Sequence, residues 1–156
     1  MKNVLITGAY GGMGRATARL LSSQGIKVFA LDKRVDKEEE NIIPIEADIT
    51  SEESINCALE NVKTHTSSLD AIIHFAGIYM LDSLVEMESK DFKKIFDVNF
   101  YGVYLINKVF LPLLYEGSRI LITTSELAPL DPLPFTGVYA ISKGALDKYA
   151  YSLRME

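Results

Sequence analysis

The chain of 156 residues contains one cysteine, no tryptophan and two histidines. Cys57 alone cannot close an internal disulfide, and no Cys/His cluster has zinc spacing. Neither a disulfide framework nor a structural zinc is expected, and a reducing, cytoplasmic setting fits best. Ten glycines and five prolines are too few for a collagenous or low-complexity chain. Long apolar runs are missing too: the longest uncharged one, around Ala71 to Leu81, falls well short of the ~18 residues of a membrane-spanning helix. The opening Met-Lys-Asn-Val-Leu-Ile-Thr-Gly reaches a glycine turn before it could hold the roughly 7–15 apolar residues of a signal peptide. Positive charge is in deficit, with 16 Lys+Arg against 21 Asp+Glu and a net charge of −5. That balance argues against nucleic acid or an anionic membrane as partner. What is present is 48% hydrophobic and 24% charged residues, the composition of one soluble globular domain, for which roughly 100–150 residues is the usual size.

Short aliphatic runs alternate with longer helical stretches. Asn3–Thr7, Lys27–Leu31, Ile42–Ile45, Ala71–Phe75 and Arg119–Thr123 read as strands, four of them almost wholly apolar, as strands covered on both faces are. Helices are predicted over Met13–Gln24, Glu52–His65, Glu88–Tyr115 and Val138–Glu156. Regular alternation of strand and helix implies parallel pairing through right-handed crossovers, hence an α/β fold built on a doubly wound parallel sheet. Ser51, followed by Glu52 and Glu53, is a candidate N-cap. The last helical pattern runs to Glu156 without a Gly, Asn or Pro to stop it, so further chain is expected and the fifth strand would stand as an uncovered edge.

Directly after the first strand comes Thr7-Gly8-Ala9-Tyr10-Gly11-Gly12-Met13-Gly14-Arg15, then a helix. In a strand–turn–helix, glycines let the backbone approach a pyrophosphate that the helix N-terminus then holds. Gly8, Tyr10, Gly11, Gly12, Met13 and Gly14 are therefore candidate cofactor-binding residues, although the strict G-x-G-x-x-G spacing is absent. Asp32, at the end of the second strand, is placed to accept both hydroxyls of an adenosine ribose and to repel a 2′-phosphate. NAD is thus preferred over NADP, with Lys33 and Arg34 as the residues that would speak for the phosphate. Asp48 and Ile49, just past the third strand, lie on the same edge of the sheet, near the adenine.

Ser125 follows the fifth strand, and Tyr139-Ala-Ile-Ser-Lys143 opens the last helix after a loop with Pro129, Pro132, Pro134 and Gly137. Positions i and i+4 share a helix face, so the Tyr139 hydroxyl and the Lys143 ammonium can serve one volume. A phenol near pKa 10 must fall by roughly three units to act at neutral pH, about 4 kcal/mol. An ammonium at about 4 Å and an effective dielectric of ~20 supplies energy of that order, whereas a helix end gives only about 0.3–1 kcal/mol.

Thr7-Gly8-x-x-x-Gly12-x-Gly14, Asp32, Asp48, Asn99, Ser125 and Tyr139-x-x-x-Lys143 stand in the order and spacing of the short-chain dehydrogenase/reductase family. The chain resembles its compact single-domain branch, a Rossmann-like fold. The resemblance implies an NAD(P)-dependent oxidoreductase interconverting an alcohol and a ketone or aldehyde. Tyr139 would be the general acid/base, Ser125 would orient the substrate oxygen, Lys143 would contact the nicotinamide ribose and depress the tyrosine, and Asn99 would hold a relay water. It also implies a small-molecule partner and a homodimer or homotetramer built on the two long helices, through positions such as Phe96, Val103, Val109, Phe110, Leu146, Tyr149 and Leu153. These same residues suit covering the sheet. The family's Asn-Asn-Ala-Gly after the fourth strand is here His74-Phe75-Ala76-Gly77, so Ala76 and Gly77 keep the close backbone approach to the cofactor while the asparagine contacts are lost. Adjacent Gly11 and Gly12, and the histidine, resemble the epimerase-like branch as well. An epimerase or dehydratase, and a non-catalytic dinucleotide-binding module, are the alternative readings. The family's C-terminal strands, nicotinamide clamp and substrate lid have no counterpart in these residues.

Overall fold

The computed structural model describes residues 2–129 and 133–156, so Pro132 of the proline-rich loop lies outside the described residues. The elements in chain order are β1 (Asn3–Thr7), α1 (Gly12–Ser23), β2 (Lys27–Asp32), β3 (Ile42–Glu46), α2 (Glu52–Lys63) and β4 (Ala71–His74). Then come α3 (Ser89–Phe96), a π-helical turn (Asp97–Tyr101), α4 (Gly102–Phe110), a 3₁₀ turn (Leu111–Leu113), β5 (Arg119–Ile122) and α5 (Gly137–Leu153). All strand pairs are parallel, in the order β3-β2-β1-β4-β5. This is the doubly wound, Rossmann-like α/β sheet expected.

Alternation along each strand sorts the core into two layers. Leu5, Phe29, Leu31, Ile45 and Ile72 pack with Ile55, Ala58 and Val62 of α2 and Leu105, Ile106, Val109 and Phe110 of α4. Val4, Ile6, Val28 and Ala30 pack on the other face with Ala18 of α1. Because β1 is flanked by β2 on one side and β4 on the other, the connections leave its carboxyl end in opposite directions and open a crevice there.

Three expectations change. The single helix expected over 88–115 is interrupted, because a π turn inserts an extra residue at Asp97–Tyr101 and the C-terminal end tightens into a 3₁₀ turn at Pro112. Val103, Val109, Phe110 and Leu146 are buried within the chain itself, Val109 and Phe110 in the layer that covers the sheet, so these four are not free for an intersubunit bundle. The last helix closes at Leu153 in a turn in which the Arg154 N–H donates to Ala150 O and the Met155 N–H to Ser152 O. The fifth strand does stand at an edge, with β4 as its partner and Leu121 half exposed.

Ser51 caps α2 as the sequence indicates: its Oγ accepts the Ser54 N–H at 3.2 Å, ahead of Glu52 and Glu53 in the first turn. Ser51→Ala is expected to lower stability by about 1 kcal/mol and Ser51→Gly by only a few tenths. Urea denaturation of the two variants checks this, since equal losses would mean that the hydroxyl is not the cap.

Candidate active site

The turn after β1 is built on backbone proximity. Gly8 has φ +67°, and a Cβ there would lie 2.5 Å from Ala76 N. A Cβ on Gly14 would lie 2.1 Å from Gly8 O. Only glycine at both positions lets β1, the first turn of α1 and the loop after β4 meet. The Gly11 N–H donates to Gly8 O at 3.1 Å, closing the turn, and the N-terminus of α1 has no side-chain cap. Gly11, Gly12 and Met13 are exposed, and a Cβ on Gly12 would meet nothing within 4 Å. Open space in front of uncapped helix N–H groups suits a pyrophosphate, so these residues fit the anionic centre of a dinucleotide.

Beside the turn lies a cavity of about 560 Å³ lined by Gly8, Asp32, Asp48, Ile49, Thr50, Ala76, Gly77, Ile78, Val98 and four lysines, Lys33, Lys90, Lys93 and Lys94. Asp32 Oδ2 accepts the Tyr10 N–H at 3.0 Å and Oδ1 accepts the Lys33 N–H at 2.8 Å. The carboxylate thus ties the end of β2 to the glycine turn. Lys33 Nζ donates to Asp48 Oδ2 at 2.7 Å, while Asp48 Oδ1 accepts the Thr50 N–H and hydroxyl. The Lys33 bond, then those from Thr50, hold the Asp48 carboxyl at about 2.

The far end of the crevice is organised by Asn99, which the π turn directs inward. Its amide closes a two-way pair with the backbone of Ile78: Oδ1 accepts the Ile78 N–H at 2.8 Å and Nδ2 donates to Ile78 O at 2.9 Å. Nδ2 also donates to Ser142 Oγ at 3.1 Å, and Ser142 in turn donates to Tyr139 O at 2.7 Å. Lys143, 5% exposed, donates from Nζ to Thr123 O at 2.8 Å and sits 5.9 Å from the centre of the Tyr139 ring. Burial pushes its pKa down from the ordinary lysine value. A Cβ on Gly77 would lie 3.4 Å from Asn99 Oδ1 and 3.7 Å from Lys143 Nζ, so Gly77, Asn99 and Lys143 share one volume. Tyr79 meets Tyr139 edge to face at 4.8 Å. Ser125 lies past the end of β5, where its Oγ accepts the Leu127 N–H at 3.2 Å. Among the described residues it makes no hydrogen bond to Tyr139.

The arrangement has close relatives. A short chain dehydrogenase family model matches residues 2–156. The chain belongs to the short-chain dehydrogenase/reductase family. It is 32% identical over 161 residues to an NADPH-dependent 1-acyldihydroxyacetone phosphate reductase of Schizosaccharomyces pombe, covering 99% of this chain and 54% of that one. It is 28% identical to a 3-ketodihydrosphingosine reductase of Bacteroides thetaiotaomicron, covering 98% of this chain and 57% of the other. Among solved structures, a short chain dehydrogenase family protein from Francisella tularensis superposes with a TM-score of 0.90 at 29% identity, covering 98% of this chain and 62% of that one. The ligand-free aldohexose dehydrogenase of Thermoplasma acidophilum does so at 0.90 and 26%, covering 97% and 60%. The chain spans about half the length of these curated relatives. The family uses NAD(P) cofactors.

Several site residues of this family member carry no signal in its sequence. Ile78 acts through its backbone, Thr123 through its carbonyl, and the lysines of α3 reach the cavity only because the helix lies across it. Ser142, inside the Tyr139-x-x-x-Lys143 segment, would have been found by asking which residue lies three after the tyrosine on the same helix face.

His74 replaces the family asparagine and is a core residue. It is 2% exposed, and its Nε2 pairs with Asn107 Oδ1 at 2.9 Å, so Nε2 carries the ring proton. Asn107 Nδ2 donates to the Tyr149 hydroxyl at 3.2 Å, linking β4, α4 and α5, while His74 Nδ1 is buried with no hydrogen-bond partner among the described residues. Burial, the Asn107 bond opposing it and nearby Lys143 adding to it, leaves the imidazole with a pKa of about 4. An unfolded histidine takes its proton near 6.5. As pH falls from about 6.5 toward 4 the unfolded state binds a proton that the folded state refuses, so stability declines, by on the order of 3 kcal/mol over that window. The urea midpoint is expected to drop more steeply between pH 6.5 and 4.5 in the wild type than in His74→Asn. Parallel pH profiles would show that the imidazole is not the group responsible.

Proposed function

We propose that the full-length protein is an NAD(P)-dependent oxidoreductase that interconverts an alcohol and a ketone or aldehyde, with Tyr139 as general acid/base. The observation that supports this best is the buried Lys143 ammonium beside the Tyr139 ring, held by a backbone carbonyl and by no carboxylate among the described residues. A cation with no acidic partner, in a low dielectric, acts on whatever anion forms opposite it. Here that anion is the tyrosinate.

A bound nicotinamide supplies one hydride to the carbonyl carbon in reduction and takes it back in oxidation. The Tyr139 hydroxyl gives its proton to the substrate oxygen, so that a carbonyl plus hydride plus proton becomes the alcohol. Lys143 stabilises the phenolate left behind, and Ser125 orients the substrate oxygen. Asn99 holds the loop at Ile78 against α5 and would position a water through which a proton from solvent returns to Tyr139. Gly8 to Gly14 would hold the pyrophosphate, Asp48 and Ile49 would flank the adenine, and Ala76 and Gly77 would let the cofactor approach the sheet. NAD is the preferred form, because the Asp32 carboxylate stands at the end of β2 and the neighbouring Lys33 ammonium is already neutralised by Asp48. The NADPH-dependent relative makes the opposite preference the alternative. We assign the protein to a homodimer or homotetramer, in which the exposed stacked pair Tyr101 and Tyr104 replaces the buried apolar positions as the outward face of the helix pair.

Tyr139→Phe is expected to lower kcat by about 10²–10⁴ while leaving the dinucleotide Kd unchanged. Lys143→Met should lower kcat by about 10²–10³, since it removes the buried ammonium that sits beside the Tyr139 ring. Steady-state kinetics and cofactor titration check both, and full turnover in Tyr139→Phe would end the mechanism. Asp32→Asn keeps an acceptor for the Tyr10 N–H but removes the charge. The ratio of kcat/KM for NADH over NADPH is expected to fall by about tenfold or more, roughly 1.4 kcal/mol, and an unmoved ratio would remove Asp32 from cofactor selection.

A further inference from the structure

The loop before α5 carries a bulky residue in an unfavourable backbone conformation. Phe135 has φ +63°, in the left-handed region where a side chain beyond Cβ costs roughly 1–2 kcal/mol. Its ring is 63% exposed, so packing within the described residues does not offset that cost. The segment is nevertheless fixed. Phe135 O accepts the Asp82 N–H at 2.9 Å, and the Thr136 N–H and hydroxyl both donate to Leu133 O. Thr136 itself is buried, and a Cβ on Gly137 would touch Leu84 at 3.5 Å. A strained, solvent-facing aromatic held from both sides is the pattern of a ligand-contacting position.

Its surroundings specify what kind of ligand. The stitch to Asp82 joins this loop to the segment after β4, where Tyr79, Leu81 and Leu84 are each at least half exposed, as is Leu133 on the near side. Tyr79 reaches the centre of chemistry directly through its edge-to-face contact with Tyr139. Across 78–85 the only charged residue is Asp82, and across 133–143 the only one is Lys143, which is buried. Among the described residues of these two segments, a substrate's carboxylate or phosphate would find no exposed cation, and a substrate rich in hydroxyls would find few partners. A hydrocarbon would find five large apolar side chains beginning at the general acid.

We propose that Phe135 and Tyr79 form the aromatic wall of the substrate site and select a carbonyl compound that carries an extended hydrocarbon substituent. This rests on the oxidoreductase reading above, with Tyr139 delivering the proton. The occupant of the apolar face is the substrate; the alternative occupant, further chain of the full-length protein, is an outcome of the test.

The experiment uses the full-length protein with butan-2-one and decan-2-one, NADH and NADPH, and the variants Phe135→Gly and Phe135→Asn, both residues that tolerate a left-handed backbone. The wild type is expected to favour decan-2-one in kcat/KM. In both variants the ratio of decan-2-one to butan-2-one should fall about tenfold, mainly through KM, while Tm is unchanged or higher because the strain is relieved. A lower Tm in both variants overturns the proposal, since the ring is then packed on further chain. An unmoved ratio, or a wild type that favours butan-2-one, also overturns it while leaving the oxidoreductase reading intact. Equal ketone reduction by wild type and Tyr139→Phe, or none by wild type, instead removes the reading on which it rests.

Discussion

Three backbone segments converge at Gly8, and the rest of the molecule is arranged around that convergence. A Cβ on Gly8 would overlap the backbone at Ala76, and one on Gly14 would overlap Gly8 O. The first strand, the first helix and the loop after the fourth strand are therefore in contact with no side chain between them. This closeness fixes where the crevice opens, since β2 and β4 lie on opposite sides of β1. It also leaves the helix N–H groups of α1 facing open space in place of a capping side chain. The cost of such a junction is entropic, because glycine loses the most freedom on folding. It is offset by the buried strands that enter it, among which Val4, Leu5, Ile6 and Leu31 are fully enclosed.

From this junction the crevice runs in two directions with different electrostatics. Toward β2 and β3 it is dense in charge: Asp32, Asp48 and Asp97 face Lys33, Lys90, Lys93 and Lys94, and Lys33–Asp48 and Lys93–Asp97 are paired. The lysines are exposed and the aspartates partly so, so their interactions are screened and individually weak. Toward β5 and α5 the charge falls to Lys143. That single cation lies near Thr123 O, Asn99 and the Tyr139 ring and is buried, so its field is screened less by solvent than those of the outer charges. The first half suits recognition of a polar, anionic cofactor; the second suits control of one proton.

Much of this was legible in the sequence, for identifiable reasons. Strands β1 and β2 are runs of Val, Ile, Leu and Phe buried on both faces, and their ends fell within one residue of expectation. Gly8 to Gly14 could be read because glycine's role there is a property of the residue itself, and Tyr139 and Lys143 because a spacing of four is a helix face. The π turn was not legible. Asp97-Val98-Asn99-Phe100-Tyr101 has no proline or glycine within it, and the helical pattern runs through unbroken. What marks it is a partner 21 residues earlier, the backbone of Ile78. The same holds for Val103, Val109 and Leu146, whose apolar character was plain but whose burial within the chain depends on the turn that precedes α4 and on the seating of α5.

His74 shows how a departure from the family pattern is absorbed. A histidine at the end of a central strand brings two polar nitrogens into the core, and an unpaired one is costly. Asn107 on α4 satisfies Nε2, and Tyr149 on α5 satisfies Asn107 in turn, so only Nδ1 is left without a partner among the described residues. The chain of bonds crosses from sheet to both helices, and eight residues earlier on the same helical run the Asn99 pair makes a similar crossing from the loop at Ile78 to Ser142. Lys143 lies on α5 between Ser142 and Tyr149, so the helix that carries it is anchored to the rest of the protein on both sides. Lys143 Nζ is fixed by Thr123 O at 2.8 Å, and its distance from the Tyr139 ring sets the strength of their interaction, which falls off with separation. Two polar struts on one helix, at Ser142 and Tyr149, hold that distance from both sides through directional bonds that apolar contacts do not provide.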